Sequence, residues 1–282
     1  MRILVTGAAG RLGSRLLDVL GGIHDVTGID ADELDVTDFA ATRAYIHDAR
    51  PELVLHTAAW TDVDGCARDP ERAVAVNGFG AQHVAISALE AGAAVLYVSS
   101  NEVFPGDNPQ PYREYDTPAP VNPYAYSKFV GEQAVRAANP RHYIVRMAWL
   151  FAHGGKNFIH AILGAAARGD SLRVVTDEVA NPTYANDLAD AIAGLVASGR
   201  YGVYHLVNQG AVSRYAFARY VLDRAGYADT PIQPISRHEW PRQSTPPAYT
   251  ALANHAGKLA GITLRPWQAA VDDFLRDEGL LR

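Results

Sequence analysis

The chain has 282 residues and a formal net charge of -6, with acidic and basic residues interspersed. No lysine- or arginine-rich run exists to follow a phosphate backbone, so nucleic acid is not an expected partner. Cys66 is the sole cysteine, which excludes an internal disulfide and a cysteine metal cluster and fits a reducing compartment; the first apolar run is too short for a signal sequence and no stretch nears the ~20 apolar residues of a membrane span, so a cytoplasmic protein is expected.

The first thirteen residues organise the rest. Arg2-Ile3-Leu4-Val5-Thr6 is a strand pattern, Gly7-Ala8-Ala9-Gly10-Arg11-Leu12-Gly13 is a glycine turn, and a helical pattern follows through Leu17 and Leu20. A tight turn needs residues that tolerate positive φ, and a phosphate can rest on the N–H groups of the helix that opens there. The spacing is G-x-x-G-x-x-G, not the usual G-x-G-x-x-G of dinucleotide-binding turns. Val26-Thr27-Gly28-Ile29-Asp30 then predicts a second strand ending in a carboxylate suited to the ribose hydroxyls of NAD. Asp35 and Val36 follow where an adenine edge would lie, and Asp38 caps the next helix. Residues 52–56 predict a third strand, trailed by the small residues Thr57-Ala58-Ala59. Asp69-Pro70 opens one long helix carrying Asn77, and Val95–Val98 is an apolar strand covered on both faces.

Alternating strands and helices predict an α/β fold, a doubly wound parallel sheet of Rossmann type. Pro105 to Pro123 reads as a long loop whose length points to function or mobility. A helix runs from Asn122, His142–Arg146 is a strand, and beyond about Ala148 the alternation fades. Helices are expected over 157–168 and 186–197, and strands over 172–175 and 203–207, the last returning to the main sheet. The division expected is a dinucleotide-binding domain over 1–147 completed by 184–208, and a smaller C-terminal α+β substrate-binding domain from 148–183 and 209–282.

Tyr124-Ala125-Tyr126-Ser127-Lys128 places the Tyr124 phenol and the Lys128 ammonium on one helical face. An ammonium and a positive nicotinamide ring can pull a phenol's pKa down from about 10, and such a phenol can hand a proton to a carbonyl oxygen. Ser99 and Ser100 end the Val98 strand, where ligands bind in open α/β sheets.

The glycine turn, Ser100, Tyr124 and Lys128 together resemble the extended short-chain dehydrogenase/reductases. Residues 57–64 (TAAWTDVD), 98–104 (VSSNEVF), 111–114 (PYRE), 146–149 (RMAW) and 181–184 (NPTY) are similar to the dTDP-4-dehydrorhamnose reductase family, and the likeness runs from Met1 to about Leu206, then weakly to residues 264–267. The resemblance implies hydride transfer from NADH or NADPH to C4 of a nucleotide-linked 4-keto sugar. It implies that Ser100 orients the carbonyl, Tyr124 donates the proton, and Lys128 lowers the phenol's pKa and holds the nicotinamide ribose. Gly7, Gly10, Arg11, Leu12 and Gly13 would cradle the pyrophosphate, Asp30, Asp35 and Val36 would meet the adenosine, and Ala58, Ala59 and Asn77 would run along the cofactor. Val63, Ser100, Glu102 and Trp149 would line the sugar pocket, with no metal required.

Three departures stand out. The family usually has Thr-Asp-Tyr where this chain has Ser100-Asn101-Glu102, so a carboxylate replaces a phenol. Its Arg-Pro pair near the C-terminus is Pro246-Pro247 here, which leaves Arg237 or Arg242 to supply the cation. Asp30 favours NADH electrostatically, although relatives with an acid there use either cofactor. The competing readings are a ketoreductase for another nucleotide-linked sugar, an epimerase, a non-catalytic NAD(P)-binding subunit, and a metal-dependent hydrolase built on Asp62 with Asp64 or Asp272 with Asp273. Symmetry statistics favour a homodimer.

Overall fold

The computed structural model describes residues 1–154 and 157–282. Strand β1 (Arg2–Thr6) leads through the glycine turn into α1 (Arg11–Gly21), then β2 (Asp25–Ile29), α2 (Phe39–Ala49) and β3 (Leu53–His56). Helices α3 (Val63–Arg68), α4 (Pro70–Val74) and α5 (Gly80–Glu90) precede β4 (Ala94–Ser100), α6 (Pro123–Ala138) and β5 (His142–Met147). The later chain adds α7 (Phe158–Ala167), α8 (Ala185–Ser198), a sixth long strand at Gly202–His205, α9 (Arg214–Arg224), α10 (His255–Leu259) and α11 (Trp267–Asp277).

Six strands form one sheet in the order β2, β1, β3, β4, β5 and Gly202–His205, and every pairing is parallel. Side chains alternate across the strands. Ile3 and Val5 face a layer made by Leu12, Leu16 and Leu20 of α1 with Leu188, Ile192 and Leu195 of α8. Leu4, Val54, Val95 and Tyr97 face the opposite layer, which includes Ile46 of α2, Val84 and Ala88 of α5 and Val135 of α6. Because helices cover both faces, β3 and β4 are buried at every position, whereas the edge strand β2 alternates. The strand order reverses between β1 and β3, and ligands of such sheets bind in the crevice beyond the strand ends at that switch point.

A separate core lies beyond β5. Phe151, Ile159, Leu163 and Tyr184 pack there with Phe217 and Leu222 of α9 and Trp267, Val271 and Phe274 of α11. Short pairings stitch this part together: Leu150–Phe151 with Thr183–Tyr184, and Leu172–Val175 with Ile232–Ile235. As expected, the 202–205 strand returns to the main sheet beside β5.

One segment differs from the sequence reading. The helix expected from Asp69 is α4 and α5 joined by a π turn over Ala75–Phe79, and Asn77 sits in that turn. Such turns insert one residue into the helical ladder and concentrate at functional sites. The Pro105–Pro123 loop is pinned by Tyr112. Its hydroxyl accepts the N–H groups of Gly106, Asp107 and Asn108 at 3.1–3.2 Å, and its backbone pairs on both sides with Ala251 and Ala253 at 2.8 Å.

Candidate active site

At the switch point, Gly7 takes φ +72° and its Cα lies so close to β3 that an added Cβ would stand 2.7 Å from Ala58 N. A Cβ on Gly13 would stand 2.1 Å from the Gly7 carbonyl oxygen. Only glycine lets the turn, the start of α1 and the Ala58-Ala59 segment close together here. Gly10 is the N-cap of α1 and offers no side-chain cap, so the first-turn N–H donors and the positive end of the helix dipole suit a diphosphate. Asp30 stands beside the turn; its Oδ2 accepts the Ala9 N–H and its Oδ1 the Ala31 N–H, each at 2.8 Å. The carboxylate thus braces the glycine turn. Asp35 accepts both the N–H and hydroxyl of Thr37 at 2.9 and 2.8 Å, and these hydrogen bonds hold its carboxyl below its usual range. Val36 is buried against α5. The cradle fits a dinucleotide.

Asn77 is fully buried and spends its amide on the protein. Nδ2 donates to the Trp60 carbonyl at 3.0 Å and to Ser127 Oγ at 2.9 Å, and Oδ1 accepts the Trp60 N–H at 2.8 Å. The π turn therefore ties the Ala58-Ala59 segment to α6, the helix that carries Tyr124 and Lys128.

Ser100 ends β4, and Asn122 starts α6 by accepting the Ala125 N–H at 2.8 Å. These two termini bring Ser100 and Tyr124 into hydrogen-bond contact. Tyr124 is 7 % exposed and Lys128 3 %. Burial raises the Tyr124 pKa well above its ordinary value, Glu102 adds to the rise, and the Ser100 hydrogen bond opposes it. Burial lowers the Lys128 pKa to about 7, with Glu132 one turn on opposing. The lysine is also held by Tyr97, whose ring centre lies 4.3 Å from Nζ. In the chain by itself burial and the neighbouring Glu102 carboxylate favour the protonated phenol. Glu132 is itself anchored: it accepts Ser99 Oγ at 2.6 Å and both Arg146 Nε and Nη2 at 2.8 and 2.7 Å.

Near Tyr124 lies a cluster of charged side chains. Glu102 accepts from Asn122 Nδ2 at 2.9 Å; burial raises its pKa, and Asn122, Arg214 and Arg242 pull it down. Arg214 stacks on the Trp149 ring at 3.6 Å and lies 3.8 Å from Glu178, with its pKa lowered by burial to about 10. Arg242 hydrogen-bonds Glu178 from the loop after residue 236. Trp149 holds φ +40°, a left-handed conformation that is an outlier for a bulky side chain and that collects at functional sites. Val63 packs with Cys66 beside Tyr124. The Cys66 thiol is buried and its pKa raised to about 11, first by that burial.

Ser100, Tyr124 and Glu102 thus come together, and of the two candidate arginines it is Arg242 whose charge acts on Glu102. Arg237 instead donates its backbone N–H to Asp177 and its guanidinium to the Pro246 carbonyl. The acidic pairs are spoken for. Asp62 meets Arg68, Asp64 accepts the Ser244 N–H, Asp272 meets Arg224 and Tyr220, and Asp273 meets Arg265 and Arg276. Sequence reasoning missed Asn122, Glu132, Glu178 and Arg214. Only Asn122 carried a local signal, as a cap two residues before Tyr124; the others reach the site through tertiary folding.

Known proteins agree with this geometry. A dTDP-4-dehydrorhamnose reductase of Mycobacterium tuberculosis is 38% identical over 278 residues, covering 96% of this chain and 91% of that protein. The crystal structure of a dTDP-4-dehydrorhamnose reductase from Clostridium acetobutylicum superposes with a TM-score of 0.96 at 32% identity, over 99% of this chain and 100% of that one. The dTDP-4-dehydrorhamnose reductase of Bacillus anthracis, solved in complex with NADP, gives a TM-score of 0.93 at 32% identity over 98% and 99% of the two chains. With residues 1–279 matched by the family described as RmlD substrate binding domain, the chain belongs to that family.

Proposed function

We propose that the protein reduces the C4 keto group of dTDP-4-dehydro-L-rhamnose with NADH or NADPH, giving dTDP-L-rhamnose. The observation that carries this reading is the convergence of Ser100, Tyr124 and Lys128 at the end of β4, beside the glycine cradle, in a chain whose relatives named above are dTDP-4-dehydrorhamnose reductases.

The bound dihydronicotinamide supplies the hydride that adds to C4. Ser100 Oγ, fixed by accepting the Glu102 N–H at 3.1 Å, donates to the carbonyl oxygen and orients it. Tyr124 gives its hydroxyl proton to that same oxygen, so the C=O becomes a CH–OH with hydride and proton accounted for. A phenol held protonated by burial is fully in its acid form at neutral pH, which suits reduction. Lys128, poised near neutrality between Glu132 and the Tyr97 ring, holds the nicotinamide ribose and stabilises the phenolate left behind. Gly7, Gly10, Arg11, Leu12 and Gly13 bind the diphosphate, Asp30, Asp35 and Val36 the adenosine, and Ala58, Ala59 and Asn77 form or brace the groove. Val63, Glu102 and Trp149 line the sugar pocket.

The separate cores support a division into a cofactor part, 1–147 with 184–208, and a sugar part, 148–183 with 209–282, except that Leu264 joins the sheet's core and Tyr184 the second one. The lone buried cysteine supports a cytoplasmic setting, and among the described residues no helix is long and apolar enough to cross a membrane. The test is an absorbance assay at 340 nm with dTDP-4-dehydro-L-rhamnose, run with NADH and NADPH in parallel. Steady oxidation with dTDP-L-rhamnose as product is the expected result. Cofactor binding without oxidation would overturn the reading.

A further inference from the structure

Glu102 is fixed from two sides. The short turn Asn101–Val103 is capped by Ser100 Oγ, which accepts the Glu102 N–H at 3.1 Å. From the other side Asn122 donates to Oε2 at 2.9 Å while its own Oδ1 caps α6. One carboxylate is thereby registered to both the strand end that bears Ser100 and the helix start that bears Tyr124. Its second oxygen is different. Among the described residues Oε1 accepts no hydrogen bond, and neither Arg214 nor Arg242 comes within ion-pair distance of it, both being drawn to Glu178.

A half-buried carboxylate with one oxygen left without a partner among the described residues is an acceptor waiting for a donor. The two guanidinium groups already offset the charge of Glu102 and Glu178, so the missing partner is a neutral donor and not a cation. In a 4-keto-6-deoxyhexose, C5 carries the methyl group and the ring oxygen, whereas C3 carries the hydroxyl next to the reacting carbonyl. With the carbonyl oxygen fixed by Ser100 and Tyr124, the neighbouring acceptor is Glu102.

We propose that Glu102 is the specificity-determining residue of the sugar pocket, accepting the C3 hydroxyl on its open Oε1 and so selecting nucleotide-linked 4-keto sugars with a free hydroxyl beside the carbonyl. This rests on the reduction proposed above. A carboxylate only accepts, so a C3 deoxy or C3 O-methyl sugar leaves it buried without a partner. A phenol at this position, able to donate as well, would be less selective.

The test compares kcat/KM for dTDP-4-dehydro-L-rhamnose and its 3-deoxy analogue in the wild type and in Glu102→Gln and Glu102→Ala. A hydrogen bond to a charged acceptor predicts a wild-type preference of about 10- to 100-fold for the 3-hydroxy substrate. Glu102→Ala should shrink that preference to less than about 3-fold, chiefly by losing kcat/KM on the 3-hydroxy substrate, and Glu102→Gln, whose amide oxygen still accepts but carries no charge, should fall between. Equal losses on both substrates, or no wild-type preference, overturn the role of Glu102. Affinities for dTDP-L-rhamnose and its 3-deoxy counterpart, measured with the oxidised cofactor present, read the same contact without turnover. An enzyme that turns over neither substrate yet prefers the 3-hydroxy product by the same factor would refute the proposed reaction and uphold the contact; equal affinity for both products would refute the contact.

Discussion

Lys128 is a buried cation whose cost is measurable. The residue is 3 % exposed, and burial moves its pKa from 10.5 in the unfolded chain to about 7. The folded state therefore binds this proton more weakly than the unfolded state does. Below pH 7 both states are protonated and the penalty is complete, roughly 5 kcal/mol for a shift of about 3.5 pKa units. As pH rises from 7 toward 10.5 the folded protein has released the proton while the unfolded chain still holds it, so the penalty is progressively relieved. Between pH 7 and 9 this amounts to about 2 kcal/mol of added stability. Lys128→Met keeps the length of the side chain and removes the titration. Urea unfolding at pH 7 and at pH 9 should show the variant more stable than the wild type at pH 7, with the gap narrower by about 2 kcal/mol at pH 9, while reductase activity is lost. A gap that is the same at both pH values would sink the claim that Lys128 carries a desolvation penalty.

Tyr124→Phe should lower kcat by about 10² to 10⁴ with cofactor affinity retained, since only the proton donor is removed; a loss under about tenfold in the 340 nm assay would show that another group supplies the proton. Gly13→Ala places a Cβ 2.1 Å from the Gly7 carbonyl oxygen, so NADH affinity by fluorescence titration should fall at least about tenfold; unchanged affinity would place the diphosphate elsewhere. Glu132→Gln leaves Arg146 buried beside a neutral amide, and chemical denaturation should report a loss of roughly 3 to 5 kcal/mol, partly restored when Arg146→Met is added. If the double variant is no better than the single one, Arg146 is not the group left uncompensated.

The sheet was legible because each signal was local. The apolar run of β4, the glycines between β1 and α1, and the capping residues Asp38 and Asn122 each declare their element within a few residues, and a parallel sheet repeats that declaration strand after strand. The π turn at Asn77 was not legible, since a single extra residue in a helix leaves the hydrophobic spacing nearly intact. The triad was visible as spacing, yet its electrostatics were not. Tyr-x-x-x-Lys says that an ammonium stands near a phenol, but not that Tyr97 would sit under Nζ or that Glu102 would stand on the phenol's other side. Arg214 and Glu178 were invisible for a simpler reason. They lie in the second half, where short pairings between distant segments replace regular alternation, and no window of sequence contains both partners.

The charges of the cleft explain why the acid is held ready for one direction of the reaction. Negative groups outnumber what a bare Tyr-Lys pair would meet: Glu102 raises the Tyr124 pKa, and Glu132 keeps the Lys128 proton from leaving altogether. A protein that had only to oxidise an alcohol would gain from a phenol already half ionised, and burial without a facing cation works against that. Here the proton is stored on the phenol until a carbonyl oxygen, made more basic as hydride reaches its carbon, draws it across. In the proposed reduction the phenolate is the species left in the cleft, and Lys128, four residues on along the same helix face, is the cation proposed to answer that charge. Stabilisation that appears only as charge develops is what lowers a barrier.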